Sequence, residues 1–212
     1  MKLYFSPFAC SVAAHIVCRE GDLDVALQRT DFRDKRVEGG GDLRGVNPMG
    51  QVPTLVLDDG SVLTENSAVL SYLGDRRPER GLAPDPRSPA RYELQRWLSF
   101  VGTELHKKVL ALVFDPSSPD AVKEYGRAAA PRALTVVDQH LTDRETLLGS
   151  EFTVADAYLY WALWLLPHTG VSLDAFPAVR AYRTRIGERP AVRAAMTFER
   201  TEFERPFEQA LS

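Results

Sequence analysis

A chain of 212 residues, 44% hydrophobic and 26% charged, has the balance of a soluble globular protein and room for one large domain or two small ones. Its net charge of −3, with acids and bases mixed and no basic stripe, gives no electrostatic case for a nucleic-acid or anionic-membrane partner. No apolar run approaches the roughly 20 residues of a spanning helix, and no signal-peptide core precedes the first strand pattern.

Lys2 to Phe5 reads as a short apolar strand that Ser6-Pro7 breaks. A helix opens at Cys10 or Ser11 and runs to about Glu20, with Val12, Ala13, Ile16 and Val17 at helical spacing and Gly21 as its stop. Cys10 and Cys18 are then about 12 Å apart along that helix, too far for a disulfide, which points to a reduced cytoplasmic protein. Val25 to Leu27 is a second strand, and Asp31 to Gly41 a charged loop or short helix ending in three glycines.

The stretch Asn47 to Ser67, NPMGQVPTLVLDDGSVLTENS, organises what surrounds it. Thr54 to Leu57 and Val62-Leu63 are strands joined by the turn signal Asp58-Asp59-Gly60. Proline lacks a ladder donor, so Pro53 at a strand start asks for special geometry. A cis Val52-Pro53 bond would turn the backbone groups of Val52 outward, free to pair with an extended peptide. The alternative is an ordinary hairpin with a proline at its edge. A helix from about Ser67 to Asp75 completes β-α-β-α-β-β-α, an α/β layer with a mixed four-stranded sheet.

Four of the fourteen prolines fall between Pro78 and Pro89, which marks a linker. The expected division is residues 1–78, a linker over 79–88, and an all-helical domain over 89–212. In that domain Leu94, Trp97, Leu98, Val101, Leu105, Val109 and Leu112 make a long amphipathic helix of Tyr92 to Phe114. A second long helix, Ala121 to Leu141, contains Pro131, which should kink or restart it. Thr153-Val154-Ala155-Asp156 is a capping box ahead of a helix that is apolar on nearly every side, and so belongs at the centre of a bundle. Phe176 to Glu188 and Ala191 to Phe198 are further helices. Beyond Met196, phenylalanines alternate with acids, as in an amphipathic cap over a cleft or a dimer edge.

A small α/β domain followed by a helical one with a buried capped helix resembles the cytosolic glutathione S-transferases. Ala9-Cys10-Ser11, Asn47-Pro48, Gly50-Gln51-Val52-Pro53, Leu63-Thr64-Glu65, Glu104-Leu105-His106-Lys107 and Phe152 to Tyr158, in this order and spacing, resemble the bacterial beta class from Met1 to about Met196. The resemblance implies a thioredoxin-like fold with a helical second domain, glutathione as co-substrate, a small hydrophobic electrophile, a homodimer, and a detoxifying transferase.

Cys10, at a strand-to-helix junction, sits where unpaired N–H groups favour a thiolate; the alternative is a small buried hydrophobe. Cys18 reads as core. Glutathione needs an acid for its amine, donors for its carboxylates and a strand edge for its cysteinyl backbone. Glu65 supplies the acid, Asn66 and Ser67 a helix start, and Val52 the strand-like pairing; simple capping is the alternative for Glu65, Asn66 and Ser67. Lys35 matches the family position that reaches the glycine carboxylate, or is a solvated charge. Gln51, Pro53, Ser99, Thr103 and Lys107 join the same site by resemblance. Thr103, His106 and Lys107 lie off the apolar seam, and the resemblance puts His106 close to the sulfur, where an imidazole can hydrogen-bond it. The chain departs from the family pattern at Phe8 and Lys108 (each for glycine), Met49 (for lysine) and Ser99 (for asparagine). Phe8, Phe114, Trp164 and Leu165 are the candidates for an apolar electrophile pocket. Two rival readings use the same chain: thiol–disulfide exchange or dehalogenation through Cys10, and a non-catalytic module that binds ligands or proteins.

Overall fold

The structure, a computed structural model, describes residues 1–208. The chain divides into two units. Met1–Arg80 joins the segment from Pro190 onward, and Gly81–Arg189 forms the other. The final helix therefore belongs with the first unit, not with the helical domain of 89–212 expected from the sequence. Its apolar side finds a partner near the chain start that local periodicity does not reveal.

In the first unit, β1 (Lys2–Phe5), β2 (Ala26–Arg29), β3 (Thr54–Val56) and β4 (Val62–Leu63) form a mixed sheet in the order β2-β1-β3-β4. The pair β1/β2 is parallel, with Leu3 opposite Leu27, and the other two pairs are antiparallel, with Leu3 opposite Leu55 and Leu55 opposite Leu63. The thioredoxin-like mixed sheet is as expected, with β2 at its edge and shifted about a residue along the chain. Helix α1 (Ser11–Glu20) buries Val12, Ala13, Ile16 and Val17 and packs on α2 (Asn66–Asp75), which contributes Val69, Leu70 and Leu73. Each such buried aliphatic side chain contributes about 1.5–3 kcal/mol.

In the second unit, α3 (Pro89–Phe100) has proline at its first turn and passes into a π-helical stretch, Val101–Ala111, and a closing α4 (Leu112–Phe114). The long helix is therefore real, but its centre is wound with wide turns. Helix α5 (Asp120–Leu141) runs through Pro131 without a break. The ring lies on the exposed face, where water can bond the carbonyl that a proline cannot serve. Helix α6 (Val154–Leu165) is buried from Val154 to Leu163 among α3, the π-helical stretch and α7 (Pro177–Gly187). The Asp156 carboxylate, fully buried, accepts the Thr153 N–H (2.8 Å), the Thr153 hydroxyl (2.9 Å), the Leu147 N–H (2.9 Å) and the Tyr182 hydroxyl (2.8 Å). Among the described residues no helix is long and apolar enough to cross a membrane.

Helix α8 (Pro190–Glu204) runs two turns past its expected end and packs along α1. Phe198 lies 5.8 Å from Phe5 and edge-on to His15 at 5.0 Å. Arg205 then makes two hydrogen bonds to Glu38 (2.8 and 2.6 Å) and two to Glu202 (3.3 and 2.6 Å), and the Phe207 ring lies against Arg29 and Arg36. The alternating phenylalanines and acids thus serve two kinds of contact within one unit.

Candidate functional site

The loop ahead of β3 is held from within. Asn47 is buried; its amide donates to the Gln51 carbonyl and to Thr54 Oγ1 (3.0 Å each), while its oxygen accepts the Met49 N–H (3.1 Å). The Thr54 hydroxyl also donates to Gln51 (2.7 Å). At the end of this loop the Val52-Pro53 peptide bond is cis, Pro53 is buried and Gln51 is exposed. Asn47 is a positioning residue of the loop, a role that the turn dipeptide Asn47-Pro48 only hinted at.

Cys10 stands at the N-cap of α1, half-buried, and its Sγ donates to the Val52 carbonyl at 3.0 Å. The sequence reading placed helix N–H groups around an anionic sulfur and left Val52 free to pair. Here the side chain makes no capping hydrogen bond, and the thiol proton engages the carbonyl that a bound peptide would need. Cys18 is core, and burial pushes its thiol up to about 12.

Glu65 ends the short segment after β4 with φ 66° and ψ 122°, a conformation that a side chain disfavours by about 1–3 kcal/mol. It is exposed and makes no side-chain cap to α2. The capping alternative is therefore not realised at Glu65. Beside it the Asn66 amide is buried with no protein partner at either end, and Ser67 is half-buried. Lys35, also left-handed at φ 68°, donates to the Phe32 carbonyl (2.5 Å) and sits 4.7 Å from that ring centre. Burial first, and then Arg44, hold its ammonium below the usual lysine range. Its stem passes Gly50, where an added Cβ would lie 3.2 Å from Lys35 Cγ.

The second unit carries the other predicted residues. Ser99, Thr103 and Lys107 are exposed at four-residue intervals along the long helix, and the Thr103 hydroxyl donates to Ser99 (3.0 Å). His106 is half-buried; its Nδ1 is 2.7 Å from the Tyr158 hydroxyl, and the Trp161 ring meets it edge-on at 4.8 Å. Burial, then Lys107, lowers its pKa to about 4. A proton-detected titration of His106 should therefore find its midpoint near 4. Between pH 6.5 and 4 the unfolded chain binds a proton that the folded chain refuses, so stability is full above that window and falls with acid through it. The fall attributable to His106 should be about 2–3 kcal/mol, and His106→Asn should flatten that part of the curve. A midpoint near 6.5 would show that the ring is not desolvated.

Phe114 is exposed in the second unit, while Trp164 and Tyr160 join Arg180, Arg183, Thr184 and Gly187 around a hollow of about 390 Å³. Phe8 lies in the first unit against Phe203, at 5.4 Å. Its φ of 61° is again left-handed. Glu199 was missed by sequence reasoning: in a run of phenylalanines and acids it looks solvated, yet it is fully buried. Phe8, a side chain where the resemblance led us to expect glycine, was the one available signal that something must hold that position.

Comparison with known proteins matches residues 5–76 to the family described as "Glutathione S-transferase, N-terminal domain" and residues 100–190 to "Glutathione S-transferase, C-terminal domain". The chain is 41% identical over 199 residues to glutathione S-transferase GstA of Escherichia coli O157:H7, covering 94% of this chain and 98% of that one. A sphingomonad glutathione S-transferase complexed with glutathione superposes with a TM-score of 0.90 at 42% identity, covering 94% and 98% of the two chains. A bacterial beta class enzyme from Sphingomonas chungbukensis does so with a TM-score of 0.90 at 43% identity and the same coverage.

Proposed function

This chain belongs to the glutathione S-transferase family, and from that premise we propose that it binds glutathione in its first unit and transfers the glutathionyl group to a small hydrophobic electrophile. One observation carries the reading: the Cys10 thiol and the Val52 carbonyl meet at 3.0 Å beside a cis proline. A peptide pairing in strand fashion with Val52 brings its own cysteinyl sulfur to the neighbourhood of Cys10. Glu65 takes the ligand's amine, the start of α2 at Asn66 and Ser67 a carboxylate, and Lys35 the glycine carboxylate, with Gln51 and Pro53 shaping the edge.

The pairing requires the Cys10 proton to leave the Val52 carbonyl, which frees that thiol to hydrogen-bond the incoming sulfur. Ser99, Thr103, His106 and Lys107 are assigned to the same site by the family pattern. A histidine with a pKa of about 4 is too weak a base to take a thiol proton near neutrality. Its part is that of a neutral hydrogen-bonding partner for the sulfur, oriented by Tyr158. In conjugation the glutathione sulfur forms a bond to an electrophilic carbon, the leaving group departs with the bonding pair, and the thiol proton goes to solvent. We assign the protein to the cytoplasm as a homodimer in the same reading.

Calorimetric titration with reduced glutathione tests the proposal: micromolar to millimolar binding supports it, and no detectable binding overturns it. Replacing Cys10 by alanine then sorts the chemistry. Conjugation of an aryl halide should survive within about tenfold, the share of a single hydrogen bond to the sulfur, whereas thiol–disulfide exchange through a Cys10 mixed disulfide should vanish. Loss of both activities together would make Cys10 the nucleophile.

A further inference from the structure

The loop between β1 and α1 carries Cys10, and the final helix reaches back to hold it. The Phe8 N–H donates to Glu199 Oε2 at 3.0 Å, across 191 positions of sequence. Glu199 Oε1 is 2.9 Å from His15 Nδ1, and the Arg19 Nε–H donates to His15 Nε2 at 2.9 Å. Because Nε2 accepts, the ring proton sits on Nδ1 and donates to Glu199. Both carboxylate oxygens thus have donors, in a position with no exposed surface. On its other side the loop is tied by Ser6, whose carbonyl accepts the Ala9 N–H (3.0 Å) and whose hydroxyl donates to Thr30 (3.0 Å).

We propose that Glu199 is a positioning residue for Cys10: by accepting the Phe8 N–H it holds the turn before the thiol in a left-handed conformation that phenylalanine disfavours, with Phe203 steadying the ring. Glycine takes φ near 60° without strain and needs no such hold. Phe8 and the long α8 are therefore a matched pair, the helix supplying the carboxylate and ring that the side chain at position 8 requires. The proposal rests on the assignment of Cys10 to the glutathione site.

The test compares wild type, Glu199→Gln, Phe8→Gly and the double variant in two assays. One is alkylation of Cys10 by iodoacetamide at fixed pH, with Cys18 too buried to compete. The other is conjugation of glutathione to an aryl halide. A carboxamide offers one acceptor where His15 and Phe8 both donate, so in Glu199→Gln the Phe8 N–H loses its bond. Expected is about a fivefold faster alkylation, as the loosened thiol leaves Val52, and about a tenfold lower kcat with KM for glutathione within twofold, each near the share of one hydrogen bond. In the Phe8→Gly background the same substitution should change both less than twofold. Equal effects in the two backgrounds would overturn the proposal and leave Glu199 a core residue of the His15 chain. Should Glu199→Gln fail to fold, Phe203→Ala, whose ring is 65% exposed, takes its place, with about a threefold effect with Phe8 and none with glycine; no effect with Phe8 would overturn the hold. If wild type conjugates nothing, the glutathione reading falls, and alkylation still decides whether Glu199 governs Cys10.

Discussion

Replacing Glu65 by glycine is expected to weaken glutathione binding about 30- to 150-fold without lowering the melting temperature. The two halves of that result come from different properties of one residue. A carboxylate facing an ammonium makes a charge-assisted contact of about 2–3 kcal/mol, and nothing else at the start of α2 carries a negative charge. Yet Glu65 gives the fold little. Its side chain caps no helix, it is exposed, and its backbone sits at φ 66°. Glycine relieves part of that strain and removes no hydrogen bond. A substitution that leaves stability intact and weakens binding to that extent would assign Glu65 to the ligand rather than to the fold. Calorimetry beside a thermal melt checks both halves; a fall in melting temperature with unchanged affinity would make Glu65 a structural residue after all.

Asp156→Ala should have the opposite profile, a large loss of stability. Its carboxylate receives four donors inside α6 and its surroundings, and burial pushes its carboxyl above the usual range while those donors pull it down. Removing it strands the Leu147 and Thr153 N–H groups and the Tyr182 hydroxyl where water does not reach. The expected cost is about 3–5 kcal/mol, or roughly 10 °C in melting temperature. Thr153→Ala removes one hydroxyl and should cost about 1 kcal/mol. Because Tyr158 lies one turn beyond the cap on the same helix, the Asp156 variant should also release His106 from its hydroxyl. Denaturant melts would refute the argument if the Asp156 variant lost less than the Thr153 one.

The difference between these two sites also explains what the sequence could reveal. The α6 cap is a local pattern: Thr153 and Asp156 are three apart, the apolar run follows at once, and the structure keeps every part of it. The hairpin around Gly60 and the cis bond before Pro53 are equally short-range. What escaped depended on distance in sequence or on winding. Val101, Leu105 and Val109, spaced by four, fit α-helical and π-helical turns alike, so the wide turns around His106 left no mark in the pattern. The extension of α8 escaped because Phe198, Glu199 and Phe203 find their partners at Phe5, Phe8 and His15. Read locally, those acids look solvated. The Val52 carbonyl, expected to stand open, is occupied by Cys10 because the loop before α1 and the loop before β3 fold against one another.

That the first unit joins residues 1–80 with the segment from Pro190 onward bears on the order of events during synthesis. Residues 1–80 leave the ribosome long before α8. The helices of Gly81–Arg189, which make up the other unit, are synthesised in the meantime. Chains generally fold unit by unit as they emerge, but here the first unit is complete only once α8 has followed. Until α8 has emerged, Phe8 has no Glu199 to accept its N–H, so in a nascent chain the turn before Cys10 lacks that hydrogen bond.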